Sequence, residues 1–240
     1  MINPVSEVRS FVRAALVTPV PRDHTESDAA FRRRRLVAVV TLLVGTAVLT
    51  LALRIPPGDP TFYVATVGLA LVWTVGAFAS GPLHLGRAHT RAGGDARPIV
   101  QSLALGALLL AIFLLGGLVI AQVPLLRDPV TNLLDHARLG SLPVVALITA
   151  VNGISEELYF RGALYSAIGR RRAVLVTTVV YALTTVGSGI PLLVLAAALL
   201  GLLTGLQRRV TGGILGPVIT HLTWSLGMLF LLPTVLSSGS

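Results

Sequence analysis

Cysteine is absent from this 240-residue chain. That excludes a disulfide framework, a thiolate nucleophile and any cysteine–zinc site. Lysine is absent as well, so all 19 basic residues are arginine; such a bias suggests a GC-rich coding genome and hence a bacterial source. Charge is sparse, at 12% of residues. No stretch of mixed composition is long enough for a soluble core, since only residues 1–31 fall outside the apolar part. An early apolar run is missing too: Glu7 and Arg9 interrupt the N-terminal residues, so no signal peptide is expected there. What is present is 54% hydrophobic residues and a mean hydropathy of +0.83. These values describe a polytopic membrane protein. The net charge of +9 is read as topology signals and contacts to anionic lipid, with no nucleic-acid partner.

Seven apolar segments follow one another: 36–53, 62–79, 99–123, 142–165, 173–186, 192–206 and 214–232. The fifth and sixth are short for a span of about 20 residues. They are joined by Gly187-Ser188-Gly189-Ile190-Pro191, a strong turn signal, and an alternative count fuses or half-buries the two. With the N-terminus inside, 15 arginines fall on inner segments and 3 (Arg54, Arg127, Arg138) on outer loops. The inner set includes Arg32 to Arg35, Arg87, Arg91, Arg170 to Arg172, Arg208 and Arg209. This asymmetry predicts an all-α transmembrane bundle of about seven crossings, N-in and C-out. The expected organisation is a cytoplasmic tail with a basic anchor (1–35), three spans (36–141), a core (142–232) and a short external tail (233–240). Val5, Val8, Phe11, Val12 and Leu16 share a helical face suited to lying on the inner leaflet, or belong to a frayed tail. Residues 130–139 read as a weakly amphipathic element on the outer surface.

Ionisable residues within the expected spans are Glu156, Glu157, Arg161 and His221. A carboxylate deep in a membrane costs roughly 2.5–3.5 kcal/mol on insertion scales, and here two stand side by side. Glu157 and Arg161 are i,i+4 neighbours and can pair. Glu156 is turned about 100° away on the helix and is left free to face a cavity. Glu156 lies about 11 residues from the inner end of its helix and His221 about 8 or 9, so both sit roughly 12–17 Å deep. A carboxylate and an imidazole at one level can activate water and polarise a carbonyl. The bland alternatives are a structural ion pair for Glu157–Arg161 and an interhelical hydrogen bond for His221. His84 and His89 read as solvated loop residues, and His136 as lying on the outer face. Trp73 and Trp224 read equally as packing residues or interfacial anchors.

Glu156-Glu157-Leu158-Tyr159-Phe160-Arg161 resembles the E-E-x-x-x-R motif of the CAAX protease and bacteriocin-processing (Abi) family. Thr211-Gly212-Gly213-Ile214-Leu215-Gly216-Pro217-Val218-Ile219-Thr220-His221 resembles that family's run toward its last histidine. The resemblance covers roughly 142–232. It implies a glutamate-dependent intramembrane protease related to type II CAAX prenyl endopeptidases. Glu156 would be the general base, and His221 and Ser225 would form the oxyanion site. Family members commonly carry Asn or Asp where Ser225 stands. The middle motif, F-x-x-x-H, corresponds best to Tyr181 through Thr185, which puts Thr185 in the histidine position. Its hydroxyl can hold a water but ligates metal poorly, so a zinc site with several nitrogen ligands is not expected; metal dependence is left open.

The resemblance implies membrane-anchored or hydrophobic peptide substrates entering from the inner leaflet of a bacterial cytoplasmic membrane. Two other readings stand beside it. One is a pseudoprotease or membrane scaffold that captures a partner helix, to which the Thr185 substitution points. The other is a small transporter that carries protons on Glu156. The chain lacks a symmetric pair of broken helices, which sets the transporter last.

Overall fold

The computed structural model describes residues 3–22, 24–89, 94–169 and 171–237. Arg91 and Arg170, counted above among the inner arginines, and the last three residues of the expected external tail lie outside the described residues. Helix α1 (Pro4–Val12) is capped by Asn3, whose side chain accepts the Val5 N–H at 3.0 Å, and runs into a π-helical turn at Arg13–Val17. Helix α2 (Asp28–Ala52) is capped by Ser27 in the same way. Then come α3 (Thr61–Ser80), α4 (Ile99–Ile120) and α5 (Pro124–Arg138). Helix α6 (Leu142–Glu157) continues as a π-helical stretch, Leu158–Leu164, into α7 (Tyr165–Ile168). Helices α8 (Ala173–Thr185), α9 (Pro191–Thr211) and α10 (Leu215–Ser237) complete the bundle. One element was not expected: a two-residue hairpin, β1 (Ala88–His89) antiparallel to β2 (Asp95–Ala96), in the α3–α4 loop.

All seven apolar segments are helical. Five of them, α2, α3, α4, α9 and α10, are each long and apolar enough to cross a bilayer. Helix α5 and the α6–α7 run pass that test together but are bent by 112°, which gives up to six spans. The fifth segment, 173–186, lies in the helical run Ala173–Ser188, which is apolar but shorter. The chain is thus an all-α, multi-pass membrane bundle with five or six spans by length and composition. The break between α8 and α9 falls where the sequence placed it: Gly189 adopts φ +72° and Pro191 opens α9. The amphipathic element read over residues 130–139 begins earlier than expected, at Pro124, and forms all of α5.

The core gathers Trp73, Tyr159, Phe160, Tyr181 and Leu200 with the small residues Ala38, Ala77, Ala163 and Ala197. Small residues let helices approach closely where lipid offers no hydrophobic drive. Trp73 stacks on Tyr159 with ring centroids 4.5 Å apart, and the Tyr159 hydroxyl donates to the Ala38 carbonyl at 2.6 Å. Gly45 makes room for the Trp73 indole: a Cβ there would lie 2.2 Å from the ring.

At the arginine-rich end the guanidinium groups are not merely solvated topology signals. Arg33 donates to the Ala79 carbonyl and Arg35 to that of Ala167, each at 3.0 Å. Arg34 is almost wholly buried, with Glu26 as its ion-pair partner and Ser80 within hydrogen-bond reach. Arg209 donates to the Leu16 carbonyl at 3.0 Å, which ties the turn after α1 to the end of α9. Arg208 and Arg209 belong to the last turn of α9 rather than to a loop. His84 is also not free in solvent, because its ring stacks on His24 at 3.6 Å.

Candidate functional site

Glu156 and Glu157 close the α-helical part of α6, and the π-helical stretch starts with the next residue. Their neighbourhoods differ as the 100° separation requires. Glu157 and Arg161 are fully buried, and Arg161 Nη1 donates to Glu157 Oε1 at 2.9 Å. The same oxygen lies 2.9 Å from His221 Nδ1. The Arg161 guanidinium also sits over the Tyr181 ring, 4.7 Å from its centroid. Gly201 allows this approach, since a Cβ there would be 3.2 Å from Tyr181 and 3.3 Å from Arg161 Nη2.

Glu156 instead lines a cavity of about 200 Å³ and accepts a hydrogen bond from the Tyr181 hydroxyl at 2.5 Å. His221, Thr185, Trp73 and Trp224 line the same cavity. The Thr185 hydroxyl donates to the Ala182 carbonyl at 2.8 Å, so its lone pairs alone remain for a water. Next to this space lies a larger, apolar cavity of about 490 Å³, with Leu133, Leu193, Ala196 and Trp224 common to both walls. Ser225 lines the larger cavity, not the one at Glu156, and its buried hydroxyl has no partner among the described residues. His136 lines the larger cavity too, its ring nitrogens 3.2 Å from the Leu133 carbonyl and 3.0 Å from that of Ile55.

The structure therefore brings Glu156, Tyr181, Thr185 and His221 to one cavity and fixes His221 through Glu157 and Arg161. It sets Ser225 apart, one wall away. An ionised Glu157 favours the His221 tautomer protonated at Nδ1, which leaves Nε2 without that partner. The carboxylate of Glu156 can accept a proton, and the imidazole can take or give one. Among the described residues no three His, Asp or Glu side chains converge to hold a metal ion. A catalytic zinc takes three protein ligands, and this cavity brings together two candidate donors, Glu156 and His221.

Sequence reasoning missed three things. The contact from Glu157 to His221 depends on how α6 meets α10, which no spacing reveals. Trp224 follows His221 by three residues and so shares its helix face, a readable signal. Trp73 owes its place to the packing of α3, for which the sequence has no local mark. Trp73 is fully buried and Trp224 partly so, and both pack within the bundle against the cavity.

Residues 138–227 match the family described as type II CAAX prenyl endopeptidase Rce1-like. This is the family to which the E-E-x-x-x-R stretch and the run ending at His221 pointed, and the match overlaps the stretch that carries both. No curated protein and no solved structure matches the chain.

Proposed function

We propose that this chain, similar over residues 138–227 to the CAAX endopeptidases, is an intramembrane endopeptidase that uses Glu156 as general base. One observation carries the reading. Of two adjacent carboxylates, one is fully buried with Arg161 and His221 on its Oε1, while the other faces a cavity and, among the described residues, accepts from the Tyr181 hydroxyl. A water in that cavity gives its proton to Glu156 as its oxygen adds to the peptide carbonyl. His221 Nε2, when protonated, donates to the developing oxyanion. Glu156 then returns the proton to the leaving amine as the C–N bond breaks. Glu157 and Arg161 hold His221, Tyr181 holds the Glu156 carboxylate, and Thr185 accepts from the water. Ser225 is left to the flank of the substrate in the adjoining cavity. The substrate is a membrane-anchored or hydrophobic peptide, and the bilayer is a bacterial cytoplasmic membrane with the N-terminus inside.

A second reading, a pseudoprotease that binds without cutting, draws on the Thr185 hydroxyl. It stands where the family has a histidine, and its proton is already committed to the helix backbone.

The test is cleavage of a library of membrane-anchored peptides by detergent-purified wild type, Glu156→Gln and Thr185→His. The expected result is cleavage by wild type, reduced about 10²–10⁴-fold in Glu156→Gln, the range for losing a general base. Cleavage by Thr185→His alone would replace the protease reading with the pseudoprotease one.

A further inference from the structure

Arg208 is a buried cation, about 4% exposed, at the end of α9, with its guanidinium 5.0 Å from the Tyr165 ring centroid. Its Nε donates to the backbone carbonyl of Arg161 at 2.6 Å. Burying a guanidinium for one neutral acceptor is costly, and the reason lies in the π-helical stretch. In an α-helix the Tyr165 N–H would donate to the carbonyl four residues back, that of Arg161. Here it goes to the carbonyls of Gly162 and Phe160. The wide turn passes over the Arg161 carbonyl, and a buried carbonyl without a donor is strongly disfavoured. Arg208 supplies that donor from another helix.

From these contacts we infer that Arg208 is a positioning residue for the site, acting through the Arg161 carbonyl. The route has three hydrogen-bonded steps. Arg208 holds the Arg161 backbone, the Arg161 side chain holds Glu157, and Glu157 holds His221. Satisfying the skipped carbonyl keeps the helix wide between Leu158 and Leu164. That width sets the register of Glu156 and Glu157 relative to α7. Without the donor, the turn relaxes toward α-helical pairing and rotates the two carboxylates out of line with Tyr181 and His221. The role requires an N–H at this point rather than a positive charge. π-Helical turns of this kind recur at functional sites.

The inference rests on the protease reading for its catalytic readout, so the experiment has two arms. Arg208→Met keeps the apolar stem without the donor, Arg208→Gln keeps an N–H without the charge, and Arg208→Lys keeps the charge with a differently placed donor. In the first arm, kcat and KM are measured per folded molecule on a peptide that wild type cleaves. Arg208→Met is expected to lose about 10- to 100-fold in kcat with KM changed less than threefold, the pattern of a misaligned reacting group, and Arg208→Gln to recover more of that loss than Arg208→Lys. The second arm needs no substrate: amide hydrogen exchange across residues 158–168, expected to rise at least tenfold in Arg208→Met and to return toward wild type in Arg208→Gln. Equal behaviour of all three variants in exchange, or recovery by Arg208→Lys alone, would overturn the inference. Absence of cleavage by wild type would count against the protease reading and leave the exchange arm to decide the role of Arg208.

Discussion

Glu157 places two nitrogen groups on one carboxylate oxygen, and both it and Arg161 are fully buried. Its removal leaves Arg161 as a buried cation without an anion. Breaking a buried ion pair in this way costs about 3–5 kcal/mol. Glu157→Ala is therefore expected to unfold at clearly lower denaturant or temperature than wild type, whereas Glu156→Gln, whose carboxylate faces the cavity, shifts the transition little. Unfolding monitored by far-UV circular dichroism in detergent separates the two. The different duties of the neighbouring glutamates were legible in part. Four-residue spacing on one helix announced the Glu157–Arg161 pair, and the turn between adjacent residues announced that Glu156 would be elsewhere. The partner of His221 was not legible, because it depends on distance between helices far apart in sequence. The placement of Ser225 was not legible for a related reason: four residues past His221 on α10, it lines the adjoining cavity, whose other walls come from α9 and α5.

Helix α3 meets α2 through Trp73, and the fit depends on Gly45. Gly45→Ala would put a methyl 2.2 Å from the indole, so the ring has to move and its stack on Tyr159 loosens. Overpacking of this kind costs about 1–3 kcal/mol, and the melting temperature is expected to fall. Gly116 on α4 has nothing within 4 Å of its Cβ position. Gly116→Ala is expected to leave the melt unchanged or raise it slightly, by the smaller entropy of the unfolded chain. The sequence alone does not tell these two glycines apart, since each reads as a small residue in an apolar run. Element existence was legible at this scale, from hydropathy and from the Gly189–Pro191 punctuation. Element ends were less so: α9 runs on to Thr211, through two arginines that a composition rule assigns to a loop.

At the scale of the whole molecule, the unequal distribution of arginine predicts that the N-terminus and the α3–α4 loop lie on the inner side. The absence of cysteine makes the chain a ready background for testing this. Arg87→Cys and Arg54→Cys each remove one arginine from an exposed position. In intact cells a membrane-impermeant thiol reagent is expected to label Cys at 54 and to reach Cys at 87 only after the membrane is opened. The reverse pattern would invert the topology while leaving the helices as they are.

The contacts at the arginine-rich end bear on how the bundle comes together. A guanidinium bound to a lipid phosphate is not available to a backbone carbonyl, and Arg33, Arg35 and Arg209 all finish on carbonyls of other elements. While the helices are still separate, those groups are expected to pair with anionic headgroups. Assembly has to transfer them from lipid to protein, so lipid composition enters as a competitor. A leaflet rich in anionic headgroups holds the arginines longer and slows the final closure of the bundle, even as it fixes which side they occupy.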